Sequence, residues 1–182
     1  GVDLHDPAHY IAWLFQGGLG LPDRDYYTTA GASSDSLRRA YVEHIAKMLT
    51  LAGEPASAAK TDARQVMVLE TQLAKASLTR IAMRDPAATD HPMTIVRLRS
   101  LAPHLSWAAY FSAIGLTVPV TRLNVAQPAF ITRVNALLAT APLSQWRAYL
   151  RYHALSSSAP WLSTPFVDED FAFNSRFTGA KQ

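Results

Sequence analysis

Cysteine does not occur in the 182-residue sequence, which excludes disulfide bonds, thiolate metal ligands and cysteine nucleophiles. The sequence also lacks a run of about 20 apolar residues, the length that a membrane-spanning helix requires. No basic segment followed by an apolar stretch and a small-residue cleavage site opens the chain, so this stretch shows no signal peptide. Because it begins with Gly1 rather than Met, we expect a fragment or a processed chain, and the compartment stays open.

Clusters of positive charge are missing as well. The net charge is +3, but Lys and Arg are scattered singly along the chain apart from Arg38 and Arg39. A nucleic-acid-binding protein normally gathers such residues on one face, so we expect no nucleic-acid partner. What is present is an ordinary globular composition, with 49% hydrophobic and 17% charged residues. This composition predicts a packed core rather than disorder.

Hydrophobic periodicity predicts a mainly α, multi-helical domain over residues 1–182, with a minor β-hairpin or short strands near residues 9–16 and 118–125. One long helix is predicted from Ser34 or Asp35 to Gly53, and a second from Ser57 to Leu78. The predicted buried faces comprise Leu37, Tyr41, Ile45, Met48 and Ala52 in the first helix and Val66, Leu69, Leu73 and Ala76 in the second.

Shorter elements complete the prediction. Residues 84–92 are predicted as a loop, and Pro119 would place the strand near residues 118–125 at the edge of a sheet. Thr94 and Ser106 are predicted N-caps of two short helices, which end at Pro103 and Gly115. Three further helices are predicted. One runs from Pro128 to Leu138, one begins at Pro142 with Trp146, Leu150 and His153 on one side and Tyr149 beside them, and one lies within the tail over residues 156–182.

The six histidines do not form a metal-binding pattern. His5 and His9 are four residues apart, but Pro7 lies between them and no Glu follows His5, so H-E-x-x-H is not present. We predict that both lie on the surface. His153 is expected to be hydrogen-bonded within a helix packing face. The remaining histidines stand alone in the sequence, and they are His44, His91 and His104.

Two other segments could suggest chemistry. Residues 16–22 are rich in glycine, but the acids Asp23 and Asp25 follow where a phosphate would lie, so we interpret these glycines as allowing a strand to turn tightly beneath a helix. Residues 168–170 are three consecutive acids that could serve in acid–base catalysis, and we predict instead a solvated helix turn. The sequence has no G-x-S-x-G, and residues 156–158 are predicted as a helix C-terminus. We therefore predict no catalytic and no metal-binding residue, and substrate-binding residues stay unknown.

Several segments resemble, in the same order, the M13 peptidases, the zinc peptidases related to neprilysin and endothelin-converting enzyme. Residues 16–27 read Q-G-G-L-G-L-P-D-R-D-Y-Y and are similar to the family signature G-L-G-L-P-x-R-D-Y-Y. The other similar segments are residues 68–77, 84–94, 124–130, 166–173 and 179–181. Vertebrate relatives carry cysteines near the position of Tyr26 and Tyr27, so the chain is more similar to a bacterial member.

The resemblance implies a helical region beside a catalytic region, with the peptide cleft enclosed between them. Family zinc ligands come from H-E-x-x-H and E-x-x-x-D, and N-A-[FY] holds the substrate backbone. None of these motifs occurs here, and Asn174 does not correspond to the last one because Ser175 follows it. The chain is therefore similar to the N-terminal, non-catalytic region, and its resemblance covers nearly all 182 residues.

Two hypotheses about function follow. In the first, the chain is the helical cap that encloses and restricts the cleft of a neprilysin-like zinc metalloendopeptidase and is inactive by itself. Zinc would be bound outside this stretch, the partner would be the catalytic domain of the same chain, and the parent protein would be periplasmic, secreted or membrane-anchored. In the second, the chain is a stand-alone helical binding module without peptidase activity. Substrate specificity, cleft-facing residues and oligomeric state are not predicted.

Overall fold

The computed structural model describes residues 1–116 and 118–178. This part of the chain is mainly α-helical with a few short strands, as the sequence predicts. The backbone divides into two compact units, each assembled from two separated stretches of sequence. Unit 1 contains Gly1–Gly17 and Ala76–Ala141, and unit 2 contains Gly18–Lys75 and the described residues from Pro142 onward. That residues 1–182 form a single helical domain stays a prediction.

Unit 1 contains short strands and four helices in its described residues. The strands are β1 (Val2–Asp3), β2 (Asp6–Tyr10), β3 (Ala12–Leu14), β4 (Pro92–Thr94) and β5 (Arg122–Val125). The helices are α4 (Pro86–Thr89), α5 (Ile95–Leu101), α6 (Trp107–Ala113) and α7 (Pro128–Thr140), and Ala82–Arg84 form a 3₁₀ turn. Thr94 caps α5 as predicted, because its hydroxyl accepts a hydrogen bond from the Arg97 backbone N–H at 3.3 Å. Ser106 precedes α6 without a capping hydrogen bond from its side chain.

The strands of unit 1 form two small sheets. β1 pairs antiparallel with β2, and a three-stranded sheet has the order β3-β5-β4. β3 runs parallel to β5, whereas β4 runs antiparallel to it. The strand predicted over residues 118–125 therefore begins only at Arg122 and is central, so the prediction of an edge strand was wrong. Pro119 precedes the strand, and its missing N–H does not interrupt the ladder.

Two other boundaries differ from the prediction. The strand expected near residues 9–16 is interrupted at Ile11, because β2 ends at Tyr10 and β3 begins at Ala12. Residues 84–92 are not a plain loop, since they contain α4 and the first residue of β4. Asp85 begins α4 by accepting a hydrogen bond from the Ala87 N–H at 2.9 Å.

Side-chain amides connect the segments of unit 1. Asn124 on β5 accepts a hydrogen bond from the His91 N–H at 2.6 Å and donates one to the Thr89 carbonyl at 2.9 Å. The Gln16 side chain bonds both backbone groups of Leu78, at 2.7 and 3.0 Å. These amides satisfy backbone groups near the ends of helices and strands, where regular secondary structure supplies no partner.

Unit 2 consists of helices. They are α1 (Asp25–Thr28), α2 (Ala32–Leu51), α3 (Ala56–Ala76, whose last residue belongs to unit 1), α8 (Leu143–Ser158) and α9 (Thr164–Thr178), with a 3₁₀ turn at Ala159–Trp161. α2 begins at Ala32, two residues before the predicted cap at Ser34, and its N-cap is Gly31. Gly53 follows its end with φ of +91°, the left-handed conformation that glycine adopts most easily.

The apolar faces of the long helices agree with the prediction at their centres. Tyr41, Ile45, Met48, Val66 and Leu69 are fully buried. At the helix ends the prediction was wrong, because Ala52 is exposed, while Leu37 and Ala76 are only half-buried. These positions lie at or near the ends of their helices, where fewer neighbouring elements cover a side chain.

The prediction for α8 was wrong only at Leu150, since Trp146 and His153 are half-buried and Tyr149, expected beside them, is buried. Leu150 is 60% exposed, while Ala148, Tyr149 and Tyr152 are buried. The two tyrosine rings bury large apolar areas and also carry hydroxyl groups that can find partners inside unit 2. No helix in the described part of the chain has both the length and the apolar character needed to cross a membrane.

Candidate functional site

A buried carboxylate lies among the helices of unit 2. Glu70 on α3 has no solvent exposure, and burial of a charge is costly unless hydrogen bonds and paired charges compensate it. The Tyr27 hydroxyl donates to Oε2 at 2.6 Å, and the Tyr41 hydroxyl lies 2.9 Å from the same oxygen. His153 Nε2 lies 2.8 Å from Oε1. We call these four residues, which come from α1, α2, α3 and α8, the Glu70 cluster.

The Glu70 cluster also holds in place residues 18–24, which we call the glycine-rich segment. The Tyr27 hydroxyl accepts a hydrogen bond from the Leu21 N–H at 2.8 Å while it donates to Glu70. Beside the cluster, the Tyr149 hydroxyl donates to the Gly18 carbonyl at 2.9 Å. The Arg24 Nε donates to the Ala74 carbonyl at 3.1 Å. Three side chains therefore fix the backbone of residues 18–24 against the helices of unit 2.

Two glycines of this segment lie where a side chain would collide with tyrosine hydroxyls. A Cβ on Gly18 would lie 2.2 Å from the Tyr149 hydroxyl oxygen, and a Cβ on Gly20 would lie 1.9 Å from that of Tyr41. Gly18 also has φ of +78°, which disfavours any residue with a side chain. The glycines therefore allow close approach of tyrosine hydroxyls to the backbone, a role that the sequence interpretation as a tight turn did not contain.

The tyrosines around Glu70 stay protonated at neutral pH. Burial raises the pKa of Tyr149 to about 12, and the negative charge of Glu70 adds to the effect. Burial likewise raises the pKa of Tyr27, Tyr41 and Tyr152 well above 10, again with a contribution from Glu70. Neutral hydroxyls are hydrogen-bond donors, which is what a buried carboxylate requires. The geometry therefore suits a structural network, and His153 is hydrogen-bonded within it as predicted.

A second polar contact joins α2 to α9. His44 is buried, and its Nδ1 lies 3.0 Å from Oε1 of Glu169, while Nζ of Lys47 lies 3.2 Å from Oε2 of the same carboxylate. The His44 ring stacks on Phe173 at a centroid distance of 4.5 Å. Burial lowers the pKa of His44, although Glu169 opposes this shift. The prediction that residues 168–170 form a solvated turn was wrong for Glu169, because α2 lies against it.

A groove about 1200 Å³ in volume lies along α2, α3 and α9. We call it the α2–α3–α9 groove and define it by its apolar residues Val42, Ala46 and Met67 and by its cations Arg39, Lys60 and Arg64. Other lining groups include Glu169 and Lys47, which the contact between α2 and α9 already uses. This groove is larger than a second cavity of about 390 Å³ that Asp62, Arg147 and Leu150 line.

His5 and His9 do not converge on a common site, because each contacts a different acid. His5 Nε2 lies 2.8 Å from Asp90, and His9 Nδ1 lies 2.7 Å from Asp6. Both histidines are exposed, as predicted. Over residues 1–116 and 118–178, no three His, Asp or Glu side chains are arranged to hold a metal ion.

Sequence reasoning did not identify Glu70 as a buried residue. Glu70 lies four residues after Val66 and three before Leu73, so it shares the apolar face of α3. A carboxylate inside an apolar stripe is a signal that could have found it. Its donors Tyr27 and Tyr41 come from elements that only the folded chain brings together.

Comparison with known proteins agrees with the resemblance in the sequence. The family model described as "Peptidase family M13" matches residues 1–182. The chain belongs to peptidase family M13. Among M13 relatives, endothelin-converting enzyme 1 of Cavia porcellus is 25% identical over 100% of this chain, and neprilysin-3 of Drosophila melanogaster is 26% identical over 92%. The chain spans about a quarter of their length, 24% and 23% respectively.

Solved structures of M13 peptidases have the same fold in the corresponding region. The zinc metalloprotease Zmp1 of Mycobacterium tuberculosis in its open state gives a TM-score of 0.93 at 30% identity, over 100% of this chain and 28% of the other. PepO from Lactobacillus rhamnosis, at 21% identity, gives a TM-score of 0.84 over 98% of this chain and 28% of its own, which shows the shared fold alone.

The M13 family implies a zinc ion, and the described residues do not fit one. The two buried acid–imidazole contacts supply two donors each, fewer than the three protein ligands of a catalytic zinc site. In one of them, both Glu70 oxygens already accept hydrogen bonds from tyrosines or contact His153.

Proposed function

We propose that the chain is the helical, non-catalytic region of a neprilysin-like zinc metalloendopeptidase. In the parent protein, by which we mean the longer polypeptide to which the chain would belong, it encloses the cleft and limits which peptides can enter. The partner is the catalytic region of the same polypeptide, and the parent protein is exported. The observation that carries the proposal is the match of the M13 family model to all of residues 1–182.

The chemistry of the Glu70 cluster supports a structural role for this region. A general acid or base must be able to reach the proton that it transfers. Glu70 has no exposure, and its oxygens are surrounded by Tyr27, Tyr41 and His153. The carboxylate therefore serves to orient helices and the glycine-rich segment, which is what a rigid cap requires.

The inactivity of the chain can be tested directly. The 182-residue chain and the parent protein would each be purified and assayed with a quenched fluorescent peptide, and zinc binding would be measured by calorimetry. We expect cleavage by the parent protein alone and no stoichiometric zinc binding by the 182-residue chain, with circular dichroism showing that the chain is folded. Cleavage or tight zinc binding by the folded chain would refute the proposal.

The restricting role needs a separate test in the parent protein. Peptides of increasing length that share one cleavage sequence would be compared by kcat/KM. We expect kcat/KM to fall as the peptides become too large to enter. A variant that loosens this region, Gly20→Ala, should reduce the discrimination against long peptides, whereas the control Gly17→Ala should keep it. Equal cleavage of short and long peptides by the unmodified parent protein would contradict a cap function.

The α2–α3–α9 groove supports a second candidate, a stand-alone helical binding module. An apolar groove with cations beside it can bind a partner without any catalytic group. The two candidates differ in what the gene encodes after Gln182. A reading frame that continues to an H-E-x-x-H motif favours the peptidase, and one that stops there favours the binding module.

A further inference from the structure

The smaller cavity of unit 2, about 390 Å³ in volume, lies between α3 and α8. We call it the α3–α8 cavity, and its lining consists of Asp62 on α3 and of Ser144, Arg147, Leu150 and Arg151 on α8. Its volume lies at the lower end of the range of about 300–1,000 Å³ that is typical of small-molecule sites. The cavity therefore suits a ligand of the size of an amino acid or a dipeptide rather than a folded partner.

α8 gives the cavity a row of hydrogen-bond donors. Ser144, Arg147 and Arg151 follow one another at intervals of three and four residues, so they lie on one face of the helix. Arg147 is exposed, and no group in residues 1–116 or 118–178 forms an ion pair or a hydrogen bond with it. A guanidinium group can hold a carboxylate through two parallel hydrogen bonds. Arg147 is therefore available to bind the carboxylate of a ligand.

Two carboxyl groups meet on the α3 side of the cavity. The Glu54 side chain, just before α3, is only 7% exposed, and its Oε2 lies 3.1 Å from Nη1 of Arg151. That oxygen accepts no hydrogen bond from the part of the chain that the structure describes. Burial and the neighbouring charge of Asp62, which is hydrogen-bonded to Glu54, raise the pKa of Glu54, although Arg151 opposes this shift. A further positive charge beside the two acids would reduce their repulsion.

Two contacts hold the walls of the cavity together. The Gln145 side chain on α8 donates a hydrogen bond to the Gln65 carbonyl on α3 at 3.0 Å. The ion pair between Arg151 and Glu54 connects α8 to the residues before α3. The unpaired guanidinium and the two acids are thereby held on facing helices before any ligand arrives. A site that is ordered in advance loses less of its binding free energy to conformational entropy.

We propose that the α3–α8 cavity binds a small zwitterion, a molecule that carries both an ammonium group and a carboxylate. The carboxylate contacts Arg147, and the ammonium contacts Asp62 beside Glu54. Leu150 is 60% exposed and offers an apolar contact to a side chain of the ligand. A simple anion would be repelled by the two acids and a simple cation by the two arginines, so a ligand with both charges fits best. Free amino acids and dipeptides have this chemistry.

Calorimetric titration with matched ligands tests the need for both charges. Leucine and leucyl-alanine carry an ammonium and a carboxylate, whereas N-acetylleucine lacks the first and leucinamide lacks the second. We expect saturable binding of leucine or leucyl-alanine, and an affinity about tenfold lower or less for the analogues that lack one charge. The tighter of the two zwitterions identifies the source as a free amino acid or a peptide. N-acetylleucine or leucinamide that binds as tightly as leucine would overturn the assignment.

Substitutions then locate the two charges. Arg147→Gln should bind leucine and leucinamide with equal affinity, because the side chain that distinguishes them has been removed. Asp62→Asn should likewise bind leucine and N-acetylleucine equally. The controls Arg133→Gln on α7 and Glu43→Gln on α2 replace exposed side chains outside the cavity and should leave binding unchanged. Arg147 is exposed and Asp62→Asn preserves shape, so both variants should fold, which circular dichroism would verify.

The outcomes separate the inference from the proposed function, on which it does not depend. The titrations would be run on the 182-residue chain and on the parent protein, and the result in the parent protein decides. Binding that is equally tight in all four variants would place the ligand elsewhere and overturn the inference. No saturable binding of either zwitterion by a parent protein that cleaves peptides would also overturn it and leave the proposed function intact. A parent protein that binds leucine in the cavity but cleaves no peptide would support the inference and refute the proposed function.

Discussion

Replacement of Gly20 by alanine should destabilise the protein strongly, because the new methyl group has no room. The Cβ would lie 1.9 Å from the Tyr41 hydroxyl oxygen and 2.9 Å from the Tyr41 ring carbon that carries it. Tyr41 is fully buried, so its ring cannot move into solvent. The substitution must therefore displace either the backbone of the glycine-rich segment or the hydroxyl that lies against Glu70.

The magnitude follows from two contributions. Overpacking of a close-packed interior typically costs about 1–3 kcal/mol. Loss of a hydrogen bond to a charged group costs about 1.5–3 kcal/mol more, because the Glu70 carboxylate then loses one of its donors. We expect Gly20→Ala to lower the free energy of unfolding by about 2.5–6 kcal/mol. At about 2–4 °C per kcal/mol for a chain of this size, Tm should fall by about 5–24 °C.

Gly17 provides the matched control. A Cβ on Gly17 meets no atom within 4 Å, and its φ lies outside the left-handed region. Gly17→Ala should therefore change stability by less than about 1 kcal/mol, and a small gain is expected from the lower entropy of the unfolded chain. Urea and thermal unfolding followed by circular dichroism would measure both variants.

A double-mutant cycle would identify the physical cause. Tyr41→Phe removes the oxygen that lies closest to the new methyl group, so the combination of Gly20→Ala with Tyr41→Phe should be less destabilising than the sum of the two single changes. If Gly20→Ala is within about 0.5 kcal/mol of the unmodified protein, or if the two changes add without coupling, the close approach of Tyr41 to residue 20 does not constrain this segment.

Three further predictions concern buried ionisable groups. Glu70→Ala should lower the unfolding free energy by about 3–5 kcal/mol in a urea titration, since it leaves buried donors unpaired, whereas exposed Glu43→Ala should change it by less than about 0.5 kcal/mol. Burial lowers the pKa of His44 below 6.5, so below that pH the unfolded chain binds more protons than the folded chain. The free energy of unfolding should therefore fall on acidification, and His44→Gln should make this pH dependence weaker. The buried tyrosines, including Tyr149 with a pKa of about 12, lose their protons at a lower pH in the unfolded chain than in the folded one. The free energy of unfolding should therefore fall as pH rises above 10, by about 1.4 kcal/mol per pH unit for each such tyrosine. A flat alkaline profile in thermal unfolding would contradict this.

The sequence alone predicts the long helices well, because local patterns determine them. α2 and α3 each bury a face that repeats every three or four residues, and Gly53 with Pro55 separates them. Errors at Ala52 and Ala76 arise because periodicity gives the direction of a side chain and not whether another element covers it. Burial at helix ends depends on tertiary contacts.

The position of β5 depends on residues distant in the sequence. β5 is central because β3, more than a hundred residues earlier, pairs with it on one side and β4 pairs on the other. A three-residue strand such as β4 has no hydrophobic pattern of its own that a sequence could reveal. Pro119 indicated an edge strand only because the start of the strand was placed too early.

The candidate site was predicted least completely. The signature over residues 16–27 is visible in the sequence, but the reason for its glycines is not. Gly18 and Gly20 are explained by Tyr149 on α8 and Tyr41 on α2, which the chain brings to this segment from distant positions. The burial of Glu70 is likewise explained only by Tyr27, Tyr41 and His153, which come from three other helices.

The division of each unit into two sequence stretches has a consequence for synthesis on the ribosome. The N-terminal strands of unit 1 emerge early, but β3 cannot pair until residues 122–125 have been translated. α2 and α3 remain without their packing partners for longer, because α8 and α9 are translated only after the last residue of unit 1. Until then, the apolar faces of α2 and α3 are exposed on the nascent chain. Folding of unit 2 is therefore largely delayed until its last helix leaves the exit tunnel, and a nascent chain that stops near Ala141 would be a substrate for chaperones and proteases.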